Sequence, residues 1–256
     1  MFEWWPALWL FAGAALAPLL GRKMRAAIML GAPLLGAYGL YQLAPGSTVT
    51  VELFTYELTP VRVDDLSLLF GYLFHLAAFI GVLFALHIRD RLQDVAALAY
   101  AGSAVGAVFA GDLLTLFVYW ELLALTSAAL VFARRSERAQ AAGMRYLLMQ
   151  VGSGVLLLAG ALVYASATGG LGFDYIGIDA PGGWLIFLAF GIKSAFPFLH
   201  GWLIDAYPES TPTGTVFLSA FTTKVAIYAL ARGFPGTELL VYIGALMTCF
   251  PIFFAV

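Results

Sequence analysis

Three ionisable residues stand in stretches with almost no other polar groups. Glu121 lies in Leu116-Phe117-Val118-Tyr119-Trp120-Glu121-Leu122-Leu123, Lys193 in Phe190-Gly191-Ile192-Lys193-Ser194-Ala195-Phe196-Pro197, and Lys224 behind Ser219, Thr222 and Thr223. A charge at mid-bilayer costs on the order of 2.5 to 3.5 kcal/mol on insertion scales, so it normally faces a protein interior or a water-filled path. A carboxylate beside a lysine holds the lysine's proton, and drawing the two apart releases it along neighbouring polar groups. The competing reading is a static Glu–Lys pair that fixes helix packing; three such residues and a proline break weigh against it.

Pro197 follows Lys193 by four residues, removing the hydrogen bond to the Lys193 carbonyl and kinking the helix there, with Ser194 beside the break. Broken helices are tolerated in membranes where they line a cavity. His200 would share a face with Lys193 in an unbroken helix, about 10 Å away along the axis, a gap that one or two waters bridge. Asp112, nine residues before Glu121, falls on roughly the opposite face, at the membrane boundary, as an entrance group or a cap. His75 reads as a satisfied packing histidine, and Asp205 and Glu209 as loop-ordering groups. Ser153, in Gly152-Ser153-Gly154, lacks the surroundings of a hydrolase nucleophile, and its glycines are spaced for helix packing.

The elements that must hold these residues are transmembrane helices. The chain is 62% hydrophobic and only 11% charged over 256 residues, with a mean hydropathy of +0.92, which excludes an ordinary soluble domain. Apolar runs bounded by charge, Gly or Pro place eight or nine spans at about 4 to 20, 25 to 44, 66 to 87, 95 to 111, 112 to 133, 145 to 166, 183 to 200, 214 to 232 and 238 to 256. The first run lacks the basic start of a cleavable signal and reads as a span. Alternating residues between Ser47 and Asp65 suit a short surface β-hairpin between the second and third spans. The fold class is therefore an all-α polytopic membrane protein with a broken seventh helix. The net charge of −2 gives no reason to expect nucleic acid as a partner. Cys249 is the single cysteine, there is no His-Glu-x-x-His motif, and no cofactor or metal is expected.

Arg22, Lys23, Arg25, Arg89, Arg91, Arg134, Arg135, Arg138 and Arg145 collect on one side of these spans, against Arg62 and Arg232 on the other. The positive-inside rule then puts the N-terminus outside the cytoplasm, in a cell inner (plasma) membrane.

The run from Lys193 through Pro197, His200, Asp205 and Tyr207-Pro208-Glu209, continued by Thr213-Gly214-Thr215-Val216-Phe217-Leu218-Ser219-Ala220-Phe221-Thr222-Thr223-Lys224, resembles the core signature of the antiporter-like subunits. These are shared by Mrp-type multisubunit sodium/proton antiporters and the membrane arm of NADH:quinone oxidoreductase. Trp120-Glu121-Leu122 resembles the glutamate-bearing fifth span of the same family, and the matching segments extend over about residues 112 to 236. Tyr207-Pro208-Glu209 and the run ending at Lys224 look most like the D subunit of the Mrp type.

The resemblance implies that Glu121 is the charge partner on the fifth span, Lys193 the lysine of the broken seventh, and Lys224 the eighth-span lysine leading to a central polar axis. His200 matches the histidine after the seventh-span proline, a proton relay. Such subunits have about fourteen spans with two inverted five-helix repeats. Residues 1–94 then form an N-terminal three-helix segment, 95–232 the first ion-translocating repeat and 233–256 the start of a truncated second repeat, as in a fragment or one half of a split subunit. The implied function is proton and sodium translocation with other membrane subunits as partners; the alternative is a proton-pumping subunit of a redox-driven complex.

Overall fold

The computed structural model describes residues 5–53 and 56–249. In chain order these form α1 (Leu8–Leu16) with a 3-10 turn (Ala17–Leu19), α2 (Arg22–Tyr41), β1 (Thr48–Leu53), β2 (Tyr56–Arg62), α3 (Asp65–Ala85), α4 (Arg91–Phe109), α5 (Leu113–Phe132), α6 (Glu137–Thr168), α7 (Gly183–Lys193), α8 (Gly201–Ala206), α9 (Pro212–Ala220), α10 (Thr222–Gly233) and α11 (Glu238–Cys249). Thus the chain is a mostly helical membrane protein with one short hairpin. The last part of the expected ninth span, residues 250–256, lies outside the described residues.

Among the described residues, five helical segments are long and apolar enough to cross a bilayer: α3, α4, α5, α6 and the pair α9–α10. The expected first, seventh and ninth spans are shorter apolar helices, and the second is α2, which carries Pro33 and a basic first turn. At 1.5 Å per residue the 32-residue α6 is roughly 48 Å long, so it outruns a hydrocarbon core of about 30 Å. Its first turns project at the arginine-rich end of the bundle.

α4 is the helix the others surround. It is buried over 83% of its apolar window, and its alanines and glycines allow neighbouring backbones to approach closely where water offers no hydrophobic drive. At the arginine-rich end, Arg25 reaches Asp94 of α4 at 3.0 Å, Arg135 pairs with Asp90 at 2.8 Å and Arg145 makes a two-pronged bond to Asp205 at 2.7 Å.

The hairpin straps the opposite end. β1 and β2 pair antiparallel from Thr48↔Arg62 to Leu53↔Tyr56, with a register shift between Val49 and Val51. The Gly111 N–H donates to the Thr59 carbonyl, Thr59 N–H to Asp112, and Arg62 reaches both Asp174 and the Phe173 carbonyl. Arg232 joins this cluster through Asp64, at 2.7 Å.

Two helices are interrupted. α7 ends at Lys193, and residues 194–200 turn back with Ala195 and Phe198 in the left-handed region (φ 64° and 68°). Pro197 thus marks a full break rather than a kink, and the straight-helix alignment of Lys193 with His200 does not exist. The expected eighth span is also broken, at Phe221 between α9 and α10. Tyr100 of α4 satisfies that break: its hydroxyl accepts from Thr222 N–H at 2.9 Å and bonds the Thr222 hydroxyl at 2.5 Å.

Candidate functional site

The site forms where α5, α6 and α7 meet. α7 has 11 residues, roughly 16 Å, so it stops within a membrane and leaves its last carbonyls in need of donors. Ser194 N–H answers the Phe190 carbonyl, Phe196 N–H the Gly191 carbonyl and the Trp202 indole the Ile192 carbonyl, at 2.8, 2.9 and 2.9 Å. The helix dipole places partial negative charge at this same end. Lys193, as the last helical residue, sets an ammonium there.

Lys193 is fully buried. Its Nζ donates to the Trp120 carbonyl at 2.7 Å and lies 4.5 Å from the centre of the Trp120 ring. Trp120 is held in turn: its indole donates to Ser153 at 2.9 Å, and the Ser153 hydroxyl donates to the Ala189 carbonyl at 2.8 Å. Ser153 therefore ties α5, α6 and α7 together.

Glu121 is half-buried beside this lock and interacts with Lys193 through charge rather than through a direct bond. Its Oε1 is buried without a hydrogen-bond partner among the described residues, pressed against Gly154 of α6, where a Cβ would collide with it. Only glycine leaves room for the carboxylate at that point. A carboxylate near, but not bonded to, a buried ammonium can alter the lysine's hold on its proton as their separation changes.

The remaining candidates divide. Ser194 is buried at the α7 terminus and donates to the Gly191 carbonyl at 3.2 Å; Pro197 and His200 are half-buried in the turn, His200 preceding α8. Lys224 was expected to be buried between helices. It lies in α10 but is exposed on this chain, its Nζ donating to the Ser219 carbonyl at 2.6 Å across the α9–α10 break. Thr223 is half-buried next to it. Asp112 caps α5: it accepts from Thr115 N–H at 2.7 Å and the Thr115 hydroxyl at 2.6 Å, far from Glu121 along the helix.

Outside the site, His75 is buried, with Nδ1 2.8 Å from the Gly71 carbonyl and its ring filling the space Gly36 leaves. Its Nε2 has no partner among the described residues, so it is a packing histidine only half satisfied. Asp205 accepts from Arg145, and that bond and charge hold its carboxyl below the ordinary value.

Two roles at the site were not read from the sequence: the Trp120 carbonyl as the acceptor for Lys193, and Gly154 as the space that admits the Glu121 carboxylate. Gln150 is fully buried in α6, and its polarity inside an apolar run is the signal a search for charges alone passes over. Gly154 was legible only as a helix-packing glycine, because its role toward Glu121 depends on which helix faces it.

The chain is 30% identical over 225 residues to NADH-quinone oxidoreductase subunit N of Deinococcus radiodurans, covering 80% of this chain and 45% of that protein. Its fold superposes on a chain of respiratory complex I from Thermus thermophilus with a TM-score of 0.78, covering 96% of this chain and 56% of that one at 24% identity. It also superposes on a chain of the Mrp complex from a Dietzia species with a TM-score of 0.75, covering 94% and 50% at 24% identity. The chain thus spans about half the length of the relatives it matches. These relatives are subunits of multisubunit membrane complexes. Residues 110–253, more than half the chain and including Glu121, Lys193 and Lys224, match the NADH:quinone oxidoreductase/Mrp antiporter transmembrane family, and the chain belongs to that family.

Proposed function

We propose that this chain carries protons across the membrane as part of a multisubunit sodium/proton antiporter, with Glu121 and Lys193 as a charge couple. The observation that carries this reading is the buried Lys193 ammonium, held by the Trp120 carbonyl at the end of a helix that stops within the bundle, with the Glu121 carboxylate near but unbonded. When Glu121 and Lys193 approach, the ammonium keeps its proton; when they separate, the proton leaves toward the α9–α10 break and Lys224. His200 and Ser194 flank the exit from α7, and residues 95–232 act as one ion-translocating repeat. The Thr213–Lys224 run and Tyr207-Pro208-Glu209 support an antiporter of the Mrp type, D subunit. The likeness to subunit N of a quinone-linked oxidoreductase over 80% of the chain supports a second reading, a proton-pumping subunit of a redox-driven complex.

The arginine-rich end is assigned to the cytoplasm, which places the N-terminus outside, in the inner (plasma) membrane. Inside-out vesicles from source cells separate the two readings. Proton movement on adding sodium alone, lost in Glu121→Ala and Lys224→Ala complexes that still assemble, supports the antiporter. Movement only with an electron donor supports the redox-driven pump. Normal flux in either variant contradicts the path.

A further inference from the structure

Gln150, in α6, is a buried polar side chain outside the proposed path. It is fully buried, yet neither its amide oxygen nor its amide nitrogen has a hydrogen-bond partner among the described residues. A primary amide offers two donors and two acceptor lone pairs, and burying it unsatisfied is costly, so such a group is retained where it serves a ligand or ordered water.

Its position follows from helix geometry. Gly160 of α6 lies against Gly182 and Ile186, while Ser153 bonds the carbonyl of Ala189, so α6 and α7 run antiparallel. Stepping back three residues on α6 and forward four on α7 brings Gln150 level with Lys193. One turn further, on the same face, is Tyr146. The buried Tyr146 hydroxyl donates to Ser127 at 2.8 Å, while the Thr222 hydroxyl at the α9–α10 break bonds Tyr100. Gln150 therefore falls between Lys193 and the buried Tyr146–Ser127 hydroxyl pair, level with the one and a turn along its helix from the other.

We propose that Gln150 holds ordered water between the Lys193 ammonium and the Tyr146 hydroxyl, making it the positioning residue for the proton that leaves Lys193. The amide accepts from and donates to that water without itself changing protonation; the ammonium N–H passes its proton to the water oxygen, the water passes one of its own to the Tyr146 oxygen, and Tyr146 releases its hydroxyl proton to Ser127, so that each group gives up one proton as it takes one and Lys193 is left neutral. This rests on the proton-translocation reading above.

The test uses inside-out vesicles of source cells carrying Gln150→Met, which keeps length and volume but removes the amide, beside Gln150→Asn and Glu121→Ala. Proton flux, its ratio in H2O and D2O, and the melting temperature of the solubilised complex are measured. The expected result for Gln150→Met is an about tenfold loss of flux with a raised isotope ratio, while the melting temperature holds or rises. Gln150→Asn recovers part of the flux. Wild-type flux in Gln150→Met, or loss of flux together with melting temperature and no change in isotope ratio, overturns the proposal. If Glu121→Ala also transports normally, the translocation reading itself fails; if Glu121→Ala is inactive and Gln150→Met is normal, only the role of Gln150 does.

Discussion

At the scale of single residues, charge is positioned by the absence of side chain as much as by its presence. Gly154 gives Glu121 its place, whereas Gly152, two residues away, faces open space. Gly154→Ala is therefore expected to push the carboxylate off α6 and cost about 1–3 kcal/mol through overpacking, whereas Gly152→Ala is close to neutral. Thermal unfolding and proton flux check both: equal behaviour of the two variants would show that Glu121 is not seated against Gly154. Glu121, Lys193 and Pro197 were legible as chemistry because each is expensive or disruptive in an apolar helix. Gln150 and Gly154 were not, since their meaning depends on which helix packs opposite.

At the scale of elements, the two broken helices differ in how visible they are. The break after Lys193 is written locally by Pro197. That at Phe221 has neither proline nor glycine at the break, and what satisfies it, Tyr100, lies 122 residues away in sequence. Periodicity along a single run could not show it. Tyr100→Phe leaves the Thr222 N–H without its acceptor and is expected to destabilise the protein by about 1–3 kcal/mol. An unchanged melting temperature would mean the break is satisfied by other groups. The α6–α8 link behaves differently because Asp205 is near the surface. Its carboxyl is held below the ordinary value near 3.8, first by the bond to Arg145 and then by that residue's charge. A depressed carboxylate stabilises above its unfolded pKa and loses that contribution as pH falls through the folded value. Stability should thus decline below about pH 4, and Asp205→Asn should remove that part of the decline, small as expected for an exposed pair.

At the scale of the whole molecule, hydropathy placed the spans and the hairpin, because both depend on patterns within a few residues of one another. It did not show that Lys224 lies exposed on this chain, a property of the assembled helices. At the arginine-rich end Arg25, Arg135 and Arg145 each pair with a carboxylate from another element, and the proposed sidedness rests on the excess of basic residues there. With Cys249→Ser as background, Arg138→Cys should react with an impermeant thiol reagent only from the cytoplasmic face and Asp174→Cys only from the opposite face; the reverse pattern would invert the topology.

The most direct test of the central claim is proton flux through the assembled complex carrying Lys193→Arg. A guanidinium keeps the charge and the attraction to Glu121 but does not give up its proton. If Lys193 must release a proton, flux is lost while the complex still assembles in the membrane; wild-type flux in that variant would show that Lys193 is a fixed charge and not a carrier.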